Sequence, residues 1–158
     1  MKSLLFVDDE KNILSFLTDL FSEQYKVYTV NNGFKALDII EKNSPDIVFL
    51  DIIMPEIDGL ETLKLIKQKF PGQLVIMLSS VGAINAAVKA VKLGAFDYIC
   101  KPFEIKDIRE IIDRAFNTIT NKSKFRLVND NDYELIGNNI EIRNIIEIVH
   151  KIAKKNVT

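Results

Sequence analysis

Polar side chains stand at the ends of four apolar runs in this sequence. Asp8 and Asp9 follow the first run, Asp51 follows another, and Ser79 and Lys101 follow two more. If these runs are parallel strands, the side chains meet at the carboxyl edge of the sheet, where open α/β sheets bind ligands. A carboxylate nucleophile, a hydroxyl donor and an amine can together hold and transfer a phosphoryl group. The pattern therefore predicts phosphoryl chemistry at this edge.

The acids also predict a metal site. Asp8, Asp9 and Asp51 would bring like charges into one crevice, which raises their pKa values unless a cation joins them. Mg²⁺ binds through one or two carboxylates plus water, so it suits such a crevice. Residues 8–10 could instead serve only as a helix N-cap with acids in the first turn. The presence of Asp51 in the same crevice favours Mg²⁺ as a cofactor.

The elements that position these residues follow an alternating pattern. Short apolar runs, typical of strands buried on both faces, alternate with stretches whose apolar residues recur at helical spacing. We predict an α/β fold, a doubly wound five-stranded parallel sheet of order 2-1-3-4-5 with its switch point between strands one and three. The predicted strands are 3–7, 25–30, 47–50, 74–78 and 96–100, and the predicted helices are 13–21, 36–40, 60–70, 84–92 and one beginning near 105.

The fifth helix carries a regular apolar seam. Ile105, Ile108, Ile112, Ala115 and Ile119 are separated by alternating steps of three and four residues. The seam is either the core face of a last helix packed on the sheet or the beginning of a dimer contact. Because two heptads fall short of the three or four that indicate a coiled coil, both interpretations stay open.

The composition changes after the fifth helix. Residues 118–132 are mostly polar, whereas 142–153 place apolar residues on one helical face that needs a covering surface. We predict a domain over 1–120, a linker over 121–134 and a C-terminal helical extension over 135–158, which is a fragment of a further domain.

Charge and composition exclude several classes of protein. The 158 residues carry a net charge of -1, which offers no field for binding DNA or an anionic membrane. No apolar stretch approaches the roughly 20 residues of a membrane-spanning helix. Cys100 is the only cysteine, which excludes an internal disulfide and fits a reducing compartment. We therefore expect a cytoplasmic protein.

Taken in order, these motifs resemble the receiver domain of bacterial two-component response regulators. The resemblance covers about residues 1–120 and is carried by Asp8-Asp9, Asp51, Met54-Pro55, Asp58-Gly59, Ser79 and Lys101-Pro102-Phe103. It implies a CheY-like version of the flavodoxin-like fold. It also implies that Asp51 accepts a phosphoryl group from a sensor histidine kinase.

The resemblance assigns the remaining groups of the acidic crevice. Asp8 and Asp9 would bind Mg²⁺ together with Asp51, and the backbone carbonyl of Ile53 would be a further ligand. Lys101 would pair with the phosphoryl group once it is attached.

The resemblance also implies a switch. Ser79 would hydrogen-bond to a phosphoryl oxygen and move towards it, and Tyr98 stands where the family keeps its switch aromatic. Tyr98 would turn into the space that this movement vacates. The face made by helix four, strand five and helix five would then change shape, and we expect a homodimer.

Two further stretches resemble one branch of this family. Residues 88–98 and 135–153 are similar to the nitrogen-regulatory activators of sigma-54 RNA polymerase, in which receiver, linker helix and AAA+ ATPase follow one another. This implies that 135–158 begins an AAA+ domain of a longer protein. The sequence contains neither a GxxxxGK[ST] motif nor a helix-turn-helix. We therefore expect this chain to be neither an enzyme nor a direct nucleic-acid binder.

Other functions would need different residues. A Mg-dependent phosphohydrolase of the haloacid-dehalogenase type would need a second Asp where Ile53 stands. A carrier of FMN would need a Ser/Thr/Gly-rich phosphate loop where residues 8–10 are acidic. A dimerisation or interaction module that works without phosphate would not need the acids, hydroxyl and amine that this chain has.

Overall fold

The structure is a computed structural model that describes residues 1–80 and 84–126. Its strands are β1 (Ser3–Val7), β2 (Lys26–Val30), β3 (Ile47–Asp51), β4 (Leu74–Ser80) and β5 (Asp97–Lys101). Its helices are α1 (Lys11–Phe21), α2 (Gly33–Asn43), α3 (Gly59–Lys69), α4 (Ile84–Lys92) and α5 (Ile105–Arg126).

The strands form one parallel sheet in the order β2-β1-β3-β4-β5. Every residue of β1 and β3 is buried, as expected for central strands covered by helices on both faces. The edge strand β2 is partly exposed. The predicted α/β fold class and strand order are confirmed.

The sheet separates two apolar clusters, and β3 shows how its side chains divide between them. Val48 and Leu50 belong to the cluster covered by α2, α3 and α4, whereas Ile47 and Phe49 belong to the cluster covered by α1 and α5. Successive side chains point to opposite faces of a strand, so a continuous apolar run supplies both clusters. These clusters hold the carboxyl ends of the strands in place.

Helix α5 resolves the question of its apolar seam. Ile108, Ile112 and Ala115 are at most 1% exposed and lie in the cluster shared with α1, and Ile119 packs partly buried against the same cluster. Ile105, at the start of the helix, is 40% exposed. From Ile108 to Ala115 the seam is therefore a core face, which favours the first of the two interpretations.

Helix α5 also enters the segment predicted as a linker. It continues to Arg126, so residues 121–126 are helical. Polar composition did not exclude a helix there, because Lys and Arg are good helix formers and an existing helix extends at little cost. The rest of the predicted linker and the extension over 135–158 lie outside the described residues. Within the described ranges, no helix combines the length and the apolar character needed to cross a membrane.

Candidate functional site

Three carboxylates meet at the carboxyl edge of the sheet. Asp51 is the last residue of β3, and Asp8 follows Val7, whose partner in the register is Leu50. Carboxylate oxygens of Asp8, Asp9 and Asp51 lie within 4.8 Å of one another. Asp8 is fully buried and Asp51 is 5% exposed, whereas Asp9 is exposed. The structure thus brings together the three acids that the sequence singled out.

Lys101 bridges the two buried acids from the end of β5. Its Nζ donates to Asp8 Oδ2 at 2.6 Å and to Asp51 Oδ2 at 3.1 Å, and it lies 3.9 Å from Glu10 Oε1. The backbone N–H of Glu10 donates to Asp8 Oδ1 at 2.9 Å, which orients that carboxylate. The peptide bond between Lys101 and Pro102 is cis. We call Asp8, Asp9, Asp51 and Lys101 the acid site.

The pKa shifts follow from burial and from this bridge. Burial raises the pKa of Asp51, the charge and hydrogen bond of Lys101 oppose that shift, and the charge of Asp8 adds to it. Burial would lower the pKa of Lys101, but its hydrogen bonds to Asp8 and Asp51 and their charges outweigh burial and raise it. Lys101 is therefore a cation at neutral pH and favours the charged form of Asp51.

The donor set of the acid site fits a hard divalent cation. Three carboxyl groups surround one ammonium, so the site offers more acidic ligands than its own cation contacts. Carboxylate oxygens are the ligands that Mg²⁺ takes in proteins, usually one or two of them with water. The acids are close enough together to offer such a set without rearrangement of the sheet.

Ser79 and Tyr98 form a pair of buried hydroxyls next to the acid site. Ser79 is 1% exposed and follows Leu78, the partner of Asp51 in the register; Tyr98 is 4% exposed. Burial raises the pKa of Tyr98, and the Ser79 hydroxyl opposes that shift. The two hydroxyls are thus neighbours, but their geometry falls short of a hydrogen bond, and neither has another partner among the described residues.

This burial bears on the predicted switch. We predicted from the sequence that Tyr98 turns inward after Ser79 has moved. In the structure, the Tyr98 side chain is already buried. A buried hydroxyl without a partner is costly. The Ser79 hydroxyl can therefore gain a hydrogen bond when an acceptor enters the site, while the switch role of Tyr98 stays a prediction.

Sequence reasoning missed the part that Gly59 plays in shaping the site. A Cβ on Gly59 would lie 2.0 Å from the backbone oxygen of Asp51, and the Gly59 N–H donates to the Ile52 oxygen at 2.8 Å. Only glycine, which has no side chain, can approach the backbone at the end of β3 so closely. Ile53 lies between Asp51 and Gly59 in the chain. Its side chain is 65% exposed, and its backbone carbonyl stays a predicted ligand of Mg²⁺.

Sequence reasoning also missed a buried carboxylate at the start of β5. Asp97 is 4% exposed, accepts a hydrogen bond from the Tyr98 N–H at 2.7 Å and forms an ion pair with Arg114 of α5. The available signal was a carboxylate inside the predicted strand 96–100, because a buried charge is normally paired. The pair attaches α5 to β5 beside the tyrosine.

The fold and the acid site together define a class of protein. Residues 4–113 match the model of the family described as the response regulator receiver domain, and the chain belongs to this family. The sequence-based identification of a receiver domain is confirmed.

The relatives place the chain near one branch of regulators. It is 36% identical over 124 residues to the regulatory protein AtoC of Escherichia coli K12, covering 78% of this chain and 27% of AtoC. It is 31% identical over 155 residues to the DNA-binding transcriptional regulator NtrC of Klebsiella pneumoniae, covering 96% of this chain and 33% of NtrC. A crystal structure of NtrX from Brucella abortus superposes with a TM-score of 0.76 at 34% identity, covering 82% of this chain and 30% of NtrX. The predicted NtrC-like branch is confirmed, and the chain spans a third or less of these relatives.

Proposed function

We propose that this receiver domain accepts a phosphoryl group on Asp51 from a histidine kinase in a Mg²⁺-dependent reaction. The observation that carries the proposal is the acid site itself. A nearly buried carboxylate stands within 4.8 Å of two other acids and in contact with an ammonium that opposes the effect of burial on its pKa. That arrangement suits nucleophilic attack on a phosphorus atom carrying negative charge.

Each group has a task in this transfer. Asp51 Oδ attacks phosphorus as the bond from phosphorus to the donor's nitrogen breaks. Asp8, Asp9 and Asp51 would hold Mg²⁺, with the Ile53 carbonyl as a further ligand, and the ion would supply positive charge to the phosphoryl oxygens.

The neighbouring side chains respond to the new group. Phosphorylation adds about -1.5 to -2 charge and three acceptor oxygens. Lys101, at 3.1 Å from Asp51 Oδ2, pairs with one of them, and the Ser79 hydroxyl donates to another. Tyr98 lies beside Ser79 and transmits the change to the face made by α4, β5 and α5. The ion pair between Asp97 and Arg114 links β5 to α5 within that face.

The relatives suggest what the switch controls. AtoC and NtrC are named as regulators, NtrC as a DNA-binding one, and this chain matches 27% and 33% of their lengths. The domain then passes its state through residues 121–134 to an AAA+ domain beginning at 135–158, and so controls sigma-54-dependent transcription in the cytoplasm. The receiver itself acts as a homodimer and as a regulator, and it neither hydrolyses ATP nor contacts nucleic acid.

A phosphorylation assay tests the acceptor. The protein is incubated with Mg²⁺ and acetyl phosphate, and intact-mass spectrometry measures addition of one phosphoryl group. Asp51→Asn should abolish the adduct, whereas the matched change Asp38→Asn, at an exposed position of α2, should leave it unchanged. Lys101→Ala should still form the adduct but with smaller amide shifts at Tyr98 in NMR spectra. Equal labelling of wild type and Asp51→Asn would overturn the proposal.

A further inference from the structure

An open groove lies at the surface between helices α3 and α4, on the side of the sheet that α2, α3 and α4 cover. Its cavity volume is about 330 Å³, at the lower end of the range for ligand pockets. Leu60 of α3 and Leu93, directly after α4, line it; both are half-buried and pack against the core below. We call this feature the α3–α4 groove, and its floor is apolar.

Lysines border the groove. Lys64, Lys89 and Lys92 line it and are exposed. Within residues 1–80 and 84–126, neither Lys89 nor Lys92 forms a salt bridge. Lys64 lies 3.8 Å from Glu61, but both side chains are about half exposed, so this pair contributes little. The cations are therefore available to a partner.

Two acids also line the groove. Asp58 and Glu61 stand at the start of α3, and the Asp58 carboxylate caps that helix by accepting the Glu61 N–H at 2.8 Å. The groove thus has negative charge where α3 begins and positive charge along α4. A nucleic-acid backbone has no apolar side chains to cover Leu60 and Leu93, and a recessed floor cannot insert into a bilayer. These features disfavour nucleic acid and membrane as occupants.

We propose that the α3–α4 groove docks an amphipathic helix of a partner protein. Apolar side chains of leucine size would lie over Leu60 and Leu93, and flanking Asp or Glu residues would face Lys89 and Lys92. A groove between two helices accepts the apolar stripe of a third, as in other helix-in-groove complexes. The acid site contributes no residue to this surface.

A synthetic helix tests the proposal on the full 158-residue chain. The probe is a fluorescein-labelled peptide of about four turns made of Ala, Leu and Glu, with Leu on one stripe and Glu beside it. Fluorescence anisotropy measures binding. The probe should bind, and a control peptide with Lys in place of every Glu should not. Equal binding of the two peptides, or no binding of the acidic one, overturns the proposal.

Two charge reversals locate the contact. Lys89→Glu exchanges attraction for repulsion and should weaken binding of the acidic peptide about tenfold. The matched control is Lys42→Glu, because Lys42 is exposed in the last turn of α2 as Lys89 is in the last turn of α4. Both charge reversals therefore remove the same favourable interaction with a helix dipole. Lys42→Glu should change binding less than about twofold. Equal weakening by the two variants overturns the assignment to this groove, as do amide shifts confined to α1 and α5.

Discussion

Lysine side chains serve two regions of this domain in different ways. In the acid site, Lys101 is 15% exposed and contacts two carboxylates that are nearly buried. In the α3–α4 groove, Lys89 and Lys92 are exposed and form no ion pair within the described part of the chain. A buried charge must be balanced locally, whereas an exposed charge is balanced by water. The first arrangement therefore suits chemistry, and the second suits recognition of a partner.

The largest expected difference comes from removing one lysine of each kind. Lys101→Met leaves the carboxylates of Asp8 and Asp51 without their ammonium, so the free energy of unfolding should fall by about 3 kcal/mol at pH 7. Lys89→Met removes a solvated charge and should change it by less than about 0.5 kcal/mol. Urea denaturation in the presence of a chelator measures both, and equal effects would contradict the comparison.

A smaller effect is expected at the glycine that connects the two regions. Gly59 begins α3 and packs against the backbone of Asp51, so the Cβ of Gly59→Ala must displace one of them, at a cost of about 2 kcal/mol. Gly72→Ala is the control, because a Cβ there meets nothing within 4 Å. Thermal denaturation should separate the two variants, and a Gly59→Ala domain as stable as Gly72→Ala would show that the contact is not tight.

The smallest effect concerns pH. Burial raises the pKa of Asp51, so the folded state holds this proton more tightly than the unfolded chain. This contribution to the free energy of unfolding is fully present at pH values below the pKa of Asp51 in the unfolded chain. It is lost as the pH rises through the raised pKa of Asp51 in the folded state. Asp51→Asn has no such loss and should gain stability over wild type between acid and neutral pH without Mg²⁺.

Denaturant titrations at several pH values measure that gain. The exposed control Asp38→Asn should keep a constant difference from wild type over the same range. If the stability difference between Asp51→Asn and wild type is also constant with pH, burial does not raise the pKa of the Asp51 carboxyl group.

Much of the fold follows from local patterns in the sequence. Continuous apolar runs such as 47–50 fill both faces of a parallel sheet, and topology then places Asp8 and Asp51 side by side. Strands β3 and β4 were predicted too short, because they end in the polar residues Asp51 and Ser80. Strand β5 was predicted one residue too early, because its last residue, Lys101, is also polar. The seam of α5 could not be assigned from spacing alone, since a core face and a dimer contact share the same pattern.

The contacts that shape the site could not be predicted. The bridge from Lys101 to Asp8 spans 93 positions of sequence and depends on the twist of the sheet. The contact between Gly59 and Asp51 depends on how a loop folds back, which no periodicity encodes. The α3–α4 groove exists only where two helix faces meet, so neither helix alone reveals it.

The ammonium held between Asp8 and Asp51 has a consequence for how the domain matures. Because the chain carries its own counter-ion for this crevice, the charges of Asp8 and Asp51 are partly balanced without a metal ion. We therefore expect the domain to fold without added Mg²⁺, and an ion that binds later to redistribute charge within a site that is already formed.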